Sequence, residues 1–185
     1  MKRIFDLIVS VLILLLLMPL FIVIAILIKI DSPGPVFFKQ KRIGLNGQPF
    51  WMYKFRSMDT QAENKGPYYT QENDPRITKT GHFIRKTSID ELPQLINVIK
   101  GDMSLVGPRP DVPAQQKDYT PQDWQKRLSV LPGITGLAQA VKRSSATGSQ
   151  RLDYDLEYVD RASFLMDLKI ILLTVKQVLV RKGTN

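Results

Sequence analysis

The apolar positions of this chain follow three different periods, and each predicts a different kind of element. From Leu7 to Ile28 the apolar run is continuous, with Ser10 its only polar member. As a straight helix, at about 1.5 Å per residue, it would reach about 33 Å, enough to cross the hydrocarbon of a bilayer. Pro19 lies near its middle, where it removes one backbone donor and crowds the carbonyl of Leu15, so a kink is expected there. Lys2 and Arg3 precede the run, and Lys29, Lys39, Lys41 and Arg42 follow it. Positive residues normally stay on the cytoplasmic side of a membrane. Two readings remain, a kinked spanning helix and a helix–break–helix that enters one leaflet and returns, and cations at both ends favour the second. The run is too long for a secretory leader, and its exit, IKIDSPGPV, has no small-x-small cleavage pattern.

The turn-rich DSPGP, Asp31 to Pro35, separates this anchor, residues 1–30, from the remainder, residues 31–185. A period of two then takes over in VFFKQKRIGLNGQPFWMYKFRSM, where Asn46-Gly47 between two strand-like runs predicts a β-hairpin. Trp51, Tyr53 and Phe55 share one face of the second strand, and Phe50, Met52, Lys54 and Arg56 share the other. The cations have two readings. Either they are the solvated charges of a half-buried hairpin, or Lys41, Arg42, Lys54 and Arg56 gather around a phosphate-rich ligand. Residues 59–80 are polar and lack periodicity, which predicts a long loop with a short helix near Asp59 to Asn64.

The helical period is clearest in TSIDELPQLINVIKGD, Thr87 to Asp102, where Leu92, Leu95, Ile96 and Ile99 form one stripe and Gly101 supplies the stop. Pro93 is tolerated only in a first turn, so the helix is predicted to run from Asp90 to Lys100. Further helices are predicted from Thr120 to near Leu131, from Gln150 to Val159, and from Ser163 to Lys182. In the last, Leu168, Ile171, Leu172, Val175 and Leu179 line one side, with Lys169 and Lys176 opposite. Its charges argue against spanning, and its role is read as a mixture of core and membrane surface. The fold class is therefore α+β, mainly helical.

Composition narrows the chemistry. No cysteine occurs, which excludes disulfides, thiolate catalysis and cysteine-bound metal, and a lone histidine, His82, argues against zinc hydrolysis. With 26 Lys+Arg against 17 Asp+Glu, a net charge of +9 favours anionic partners: nucleic acid, phosphorylated metabolites or lipid head groups.

The adjacent acids Asp90 and Glu91 have two readings as well. As punctuation, Ser88 and Glu91 match a capping box, and acids in a first turn suit the helix dipole. As chemistry, they stand between Arg85-Lys86 upstream and Arg109 downstream, clamped between prolines in MSLVGPRP, Met103 to Pro110. Cations and free backbone N–H groups attract a diphosphate, whereas carboxylates repel it unless a divalent metal such as Mg²⁺ intervenes.

The succession FKQKRIGLNGQPF (Phe38 to Phe50), YKFRSM (Tyr53 to Met58), TKTGHFIRKTSIDELPQLINVIKGDMSLVGPRP (Thr78 to Pro110) and PGITGLAQ (Pro132 to Gln139) resembles the bacterial sugar transferase family, the monotopic phosphoglycosyl transferases. The resemblance covers nearly the whole chain. It implies a re-entrant N-terminal membrane helix followed by a small cytoplasmic catalytic domain with a β-hairpin and amphipathic helices. It further implies transfer of a sugar 1-phosphate from a UDP-sugar to a polyprenyl phosphate such as undecaprenyl phosphate, with release of UMP, at the cytoplasmic face of the bacterial inner membrane. The family's Asp-Glu pair falls on Asp90, implied as the nucleophile that forms a covalent phosphosugar-enzyme, and on Glu91, implied to help hold Mg²⁺, with Asp90 beside it. Arg85 and Arg109 match family arginines and are candidates for diphosphate contacts, as are Lys54, Arg56 and Arg143.

The chain also departs from the family pattern. Where relatives often show Asn-Gly-Arg-Asn, it reads Val141-Lys142-Arg143-Ser144, which keeps only the arginine. The Ser-Pro pair of the membrane break is Met18-Pro19 here, and the extra membrane domain of larger relatives is not expected. Neither the sugar nor an oligomeric state is legible. The rivals from other classes are a tethered binding protein whose acids only cap a helix, and a spanning scaffold with its soluble part outside the cell.

Overall fold

The computed structural model describes residues 1–62, 65, 66, 70, 71, 74–142 and 146–180. It is an α+β protein, mainly helical, with two small sheets. The N-terminal run forms two helices, α1 (Lys2–Leu16) and α2 (Met18–Asp31), bent by 61° at Leu17. Pro19 sits in the first turn of α2, where its missing N–H leaves no helical bond unmade, so the expected kink has become a full break. No single helix among the described residues is long and apolar enough to cross a membrane; the bent pair passes only when taken together.

One side of the pair is protein-facing. Phe5, Val9 and Ile13 of α1 pack on the main core of Met52, Leu95, Val98, Met103, Val106 and Ile170, and Ile24 and Ile28 of α2 join Phe55 and Ile84 in a second cluster. Full burial of a side chain such as Ile24 or Ile28 contributes about 1.5–3 kcal/mol, and the partly buried Phe5, Val9 and Ile13 contribute less. The other side is bare, with Ile4, Leu12, Leu16, Ile22, Ile26 and Ile30 each more than half exposed.

Polar contacts fix α1 in place. Lys2 Nζ reaches Asp167 at 2.5 Å and the Val106 carbonyl at 3.1 Å, Arg3 donates to the Val98 and Ile99 carbonyls, and buried Asp6 accepts from Ser104. At the far end of α2, Arg56 donates to the carbonyls of Ile28, Ser32 and Pro33 and so closes the helix C-terminus. Gly34 beside it has φ +122°, and a Cβ there would lie 2.1 Å from the Arg56 guanidinium.

The predicted hairpin is present. Strands β1 (Phe37–Ile43) and β2 (Pro49–Phe55) pair antiparallel from Phe37↔Phe55 to Ile43↔Pro49. Asn46 and Gly47 adopt left-handed φ of 53° and 79° in a five-residue loop. The long polar segment contains one turn at Asp59 to Ala62 and is pinned by Arg76, which pairs with Asp74 and donates to the Ala62 carbonyl. It ends earlier than the pattern suggests, because Thr78 caps an unpredicted helix α3 (Lys79–Lys86) by accepting from Gly81. His82 stands exposed on that helix.

Helix α4 covers Gln94–Lys100 and stops, as predicted, at Gly101 with φ +94°. Its start is a correction to the sequence reading: Ile89–Glu91 is a tight 3₁₀ turn, Ser88 lies at φ +58° without a capping hydrogen bond, and no capping box forms. Its buried face is Gln94, Leu95, Asn97 and Val98 rather than the full predicted stripe. Asn97 explains much of this. Its amide donates to Trp51 O at 2.7 Å and accepts from Tyr53 N at 3.0 Å, clamping α4 to the hairpin edge.

The short strands β3 (Ser104–Val106) and β4 (Gly133–Thr135) pair in parallel and bring MSLVGPRP against PGITGLAQ. A Cβ on Gly107 would lie 2.2 Å from the Leu131 carbonyl, and one on Gly133 2.1 Å from the Gly107 nitrogen, so this crossing requires glycine on both chains. Helix α5 (Pro121–Arg127) ends sooner than predicted, and α6 (Leu137–Lys142) and α7 (Gly148–Arg161) follow, the last opened by Thr147 and Gln150.

Helix α8 (Phe164–Val180) buries Asp167 and Ile170, while Leu172 and Val175 of the predicted stripe are exposed. Asp167 is the cause: it faces inward to Lys2 and to the Tyr158 hydroxyl at 2.7 Å, and so sets the helix rotation. Replacing Asn97 with Leu should lower stability by about 2–3 kcal/mol through the unpaired backbone groups left on β2, measured by chemical denaturation in detergent micelles.

Candidate active site

Three segments distant in sequence meet at the 3₁₀ turn Ile89–Glu91. Lys54 comes from β2, the two acids from the turn, and Arg109 from the loop after β3. Glu91 is their common point. Its Oε1 accepts from Lys54 Nζ at 2.8 Å and from Arg109 Nη2 at 2.6 Å, and its Oε2 accepts from Arg109 Nη1 at 3.3 Å. Burial pushes the Glu91 carboxyl upward, but Arg109 and Lys54 outweigh it and hold the group well below the usual carboxylate range. Arg109 is raised in return, chiefly by Glu91. For Lys54 burial dominates and lowers its pKa against the pull of Glu91.

Asp90 is the opposite case. It is only 7% exposed and accepts no hydrogen bond among the described residues. Burial raises it to about 6, with Glu91 adding to the rise, while Lys54, Arg85 and Arg109 pull it down. The two acids thus have separate states: Glu91 is neutralised by bound cations, and Asp90 is an unencumbered carboxylate with unusual basicity. In a 3₁₀ turn, successive side chains point about 120° apart, which allows one to face the cations and its neighbour to stay free.

Arg85 stands at the end of α3 with hydrogen bonds to Ser57 Oγ at 3.3 Å and Thr70 Oγ1 at 2.5 Å. Arg42 joins the group from β1. It donates to the Pro110 carbonyl at 2.8 Å, and burial, with Arg109 nearby, lowers its pKa to about 10. Burial is the larger cause of this lowering, and the nearby Arg109 charge adds a repulsion that an incoming polyanion relieves.

The loop presenting Arg109 is held by a buried ion cluster that the sequence reading missed. Arg127, 2% exposed, reaches Asp111 at 2.6 Å and Asp155 at 2.8 Å and donates to the Arg109 carbonyl. Tyr119 donates to Asp111 at 2.8 Å and lays its ring 5.5 Å from the same guanidinium. No periodicity announces such a residue, since Arg127 falls in what reads as an ordinary charged helix end.

Of the predicted site residues, the structure brings together Asp90, Glu91, Lys54, Arg85 and Arg109. Arg56 is a correction: its contacts with Ile28, Ser32 and Pro33 make it the cap of α2, away from the acids. Lys41 is exposed on the opposite face of the hairpin. Arg143 lies outside the described residues.

Magnesium, implied by the resemblance, ordinarily takes one or two protein carboxylates, with water and substrate phosphate completing its shell. Asp90 and Glu91 meet that requirement, because Asp90 has no partner and Oε2 of Glu91 carries a single long bond. Among the described residues no cluster of three or more acidic or histidine side chains forms a self-sufficient metal cage.

Comparison with known proteins gives the arrangement a context. The family model described as Bacterial sugar transferase matches residues 1–181. The chain is 48% identical over 186 residues to the uncharacterized sugar transferase EpsL of Bacillus subtilis, covering 99% of this chain and 89% of that one. It is 43% identical over 190 residues to the UDP-glucose:undecaprenyl-phosphate glucose-1-phosphate transferase of Escherichia coli, and 40% identical over 189 residues to the UDP-N-acetylgalactosamine-undecaprenyl-phosphate N-acetylgalactosaminephosphotransferase of Aeromonas hydrophila. It spans only 41% and 45% of the lengths of those two.

The raised pKa of Asp90 has a measurable consequence for stability. The folded state keeps its proton to about pH 6 and the unfolded chain to its ordinary 3.8, so the Asp90 contribution is full below about pH 4 and is lost as pH rises through 6. Asp90→Asn should therefore stabilise the protein at pH 8 by about 2–3 kcal/mol and have little effect at pH 4, in denaturation curves recorded at both values.

Proposed function

The chain belongs to the bacterial sugar transferase family, and on that premise we propose that it transfers a sugar 1-phosphate from a UDP-sugar to a polyprenyl phosphate, such as undecaprenyl phosphate, and releases UMP. The observation that carries this reading is the free, buried carboxylate of Asp90 inside a group of cations whose one strong counter-charge, Glu91, is already neutralised. A diphosphate is attracted there, and a nucleophile is waiting for it.

In the first step a carboxylate oxygen of Asp90 attacks the β-phosphorus. The bond from that phosphorus to the bridging oxygen breaks, UMP leaves with the electron pair, and the sugar phosphate stays on Asp90 as an acyl phosphate. In the second step a phosphate oxygen of the lipid acceptor attacks the same phosphorus and returns the Asp90 carboxylate. Neither step needs a proton shuttle, which suits a site whose functional groups are carboxylates and permanent cations.

Arg109 and Lys54 are placed to offset charge that builds on the phosphoryl oxygens, and Arg85 offers a further donor. Contact with phosphate asks Arg109 to share or exchange Glu91, and the planar fork of a guanidinium permits both. Glu91, with Asp90 beside it, would hold magnesium, which supplies charge neutralisation on the diphosphate. A pKa near 6 leaves Asp90 ionised at neutral pH yet more basic than an ordinary carboxylate, and so a stronger nucleophile.

The lipid acceptor requires a membrane location. We read residues 1–30 as a re-entrant anchor and residues 31–185 as the catalytic part at the cytoplasmic face of the bacterial plasma membrane. The bent pair, its bare apolar faces, and cations at both of its ends support this reading. On this reading the reaction is the first membrane step of surface glycan assembly.

Incubation with a UDP-sugar and Mg²⁺ should give a phosphosugar adduct on Asp90, seen by mass spectrometry of peptides. Asp90→Asn should give no adduct and no UMP; an active Asp90→Asn enzyme refutes the nucleophile. For the wild type, kcat/KM for UMP release should fall as pH drops through about 6, as the nucleophile takes up its proton.

A further inference from the structure

The outward face of the hairpin carries an arrangement the transfer reaction does not use. On it, Phe37, Lys39 and Lys41 of β1 lie directly opposite Phe55, Tyr53 and Trp51 of β2. The strip begins on the membrane helix. Phe37 stacks on Phe55 at 5.3 Å, and Phe55 meets Phe21 of α2 edge-on at 5.0 Å. One pair further out, the Lys39 ammonium sits 5.3 Å from the Tyr53 ring centre, and Lys100 of α4 approaches the same ring at 5.4 Å. In the outermost pair, exposed Lys41 faces Trp51, which is 55% exposed.

The charges of this strip are almost unopposed. Lys100 has an ion pair with Asp102 at 3.4 Å, whereas Lys39 and Lys41 pair with no carboxylate among the described residues. Lys39, Trp51 and Tyr53 line an open recess. An exposed tryptophan and phenylalanine gain little from bulk water, but at a bilayer boundary aromatic rings settle among the head groups while lysine stems lie along them and carry the ammonium to phosphate. Continuity with α2 and the sign of the charge select the occupant.

We propose that this face of the hairpin docks on the anionic head groups of the same bilayer that takes the α1–α2 pair, an inference that rests on the membrane reading above. Lys54 leaves the opposite face of the same strand toward Glu91. The hairpin is then a spacer that fixes the height of Asp90 above the head groups, where a lipid-borne phosphate arrives.

Trp124, on α5, is the only other tryptophan, so Trp124→Phe leaves Trp51 as the sole reporter. In nanodiscs containing phosphatidylglycerol, Trp51 emission should be quenched strongly by a nitroxide on the head group, less by one near the chain end, and weakly by aqueous acrylamide. Exchange for phosphatidylcholine, or Lys39→Glu with Lys41→Glu, should reverse that order, with docking weakened about fivefold for each lysine reversed. Free access of acrylamide to Trp51 in the anionic nanodisc overturns the proposal, as does shielding that appears only when a second copy or another protein is added. UMP release by the same nanodiscs separates the two readings: turnover with an unshielded Trp51 removes the docking alone, and a shielded Trp51 without turnover removes the transferase alone.

Discussion

One carboxylate shared between two cations organises the functional part of this molecule. Glu91 accepts from Lys54 and Arg109 together, and so joins a strand, a 3₁₀ turn and a proline-flanked loop that are otherwise separate in sequence. The same contact settles the local electrostatics. With Glu91 paired to two cations, most of its negative charge is offset, and Asp90, raised chiefly by burial with a smaller push from Glu91, stands as a basic carboxylate among cations. The proposed transfer, which admits a polyanion and attacks it, needs both conditions at once.

That contact holds only because the backbone behind it is over-determined. Arg127 and Arg42 each grip a carbonyl of the Pro108–Pro110 loop, one from a buried ion cluster and one from the hairpin. The glycine-to-glycine crossing at Gly107 and Gly133 brings the same loop against β4. Buried ion clusters of this sort add modestly to net stability, but removal of one member leaves an uncompensated charge, so they specify one geometry. The fold spends polar contacts to hold a loop still, and the loop's single outward side chain, Arg109, carries the result to Glu91.

Attachment of the α1–α2 pair follows the same logic on a larger scale. Lys2, Arg3 and Asp6 fasten the start of α1, and Arg56 closes the end of α2, so both ends of the pair are tied to the rest of the chain while the bend between them is apolar and bare. The Val106 carbonyl that receives Lys2 lies three residues before Arg109 in the chain. The α1–α2 pair and the candidate active site are thus parts of one packed unit, and the position of one constrains the position of the other.

Much of this was legible in residue order. The uninterrupted apolar run, the break at Pro19, the Asn-Gly hairpin, the Gly101 stop and the Asp-Glu pair between cations depend on local backbone and burial rules, which a single sequence expresses directly. Other assignments turned on partners that are remote in the chain. Ser88 and Glu91 spell a capping box, yet Glu91 finds Lys54 and Arg109, because charge-assisted bonds to two cations outweigh one backbone donor. Arg56 looks like a ligand-binding cation and is a helix cap; Arg127 looks like a surface charge and is buried; Asp167 turns α8 by facing Lys2. Sequence by itself determined most of the long elements and which chemical groups are supplied, but not α3 or the β3–β4 pair. Only the tertiary structure decided which charge meets which, since Coulomb and hydrogen-bond energies depend on distances through space, and periodicity along the chain carries no record of them.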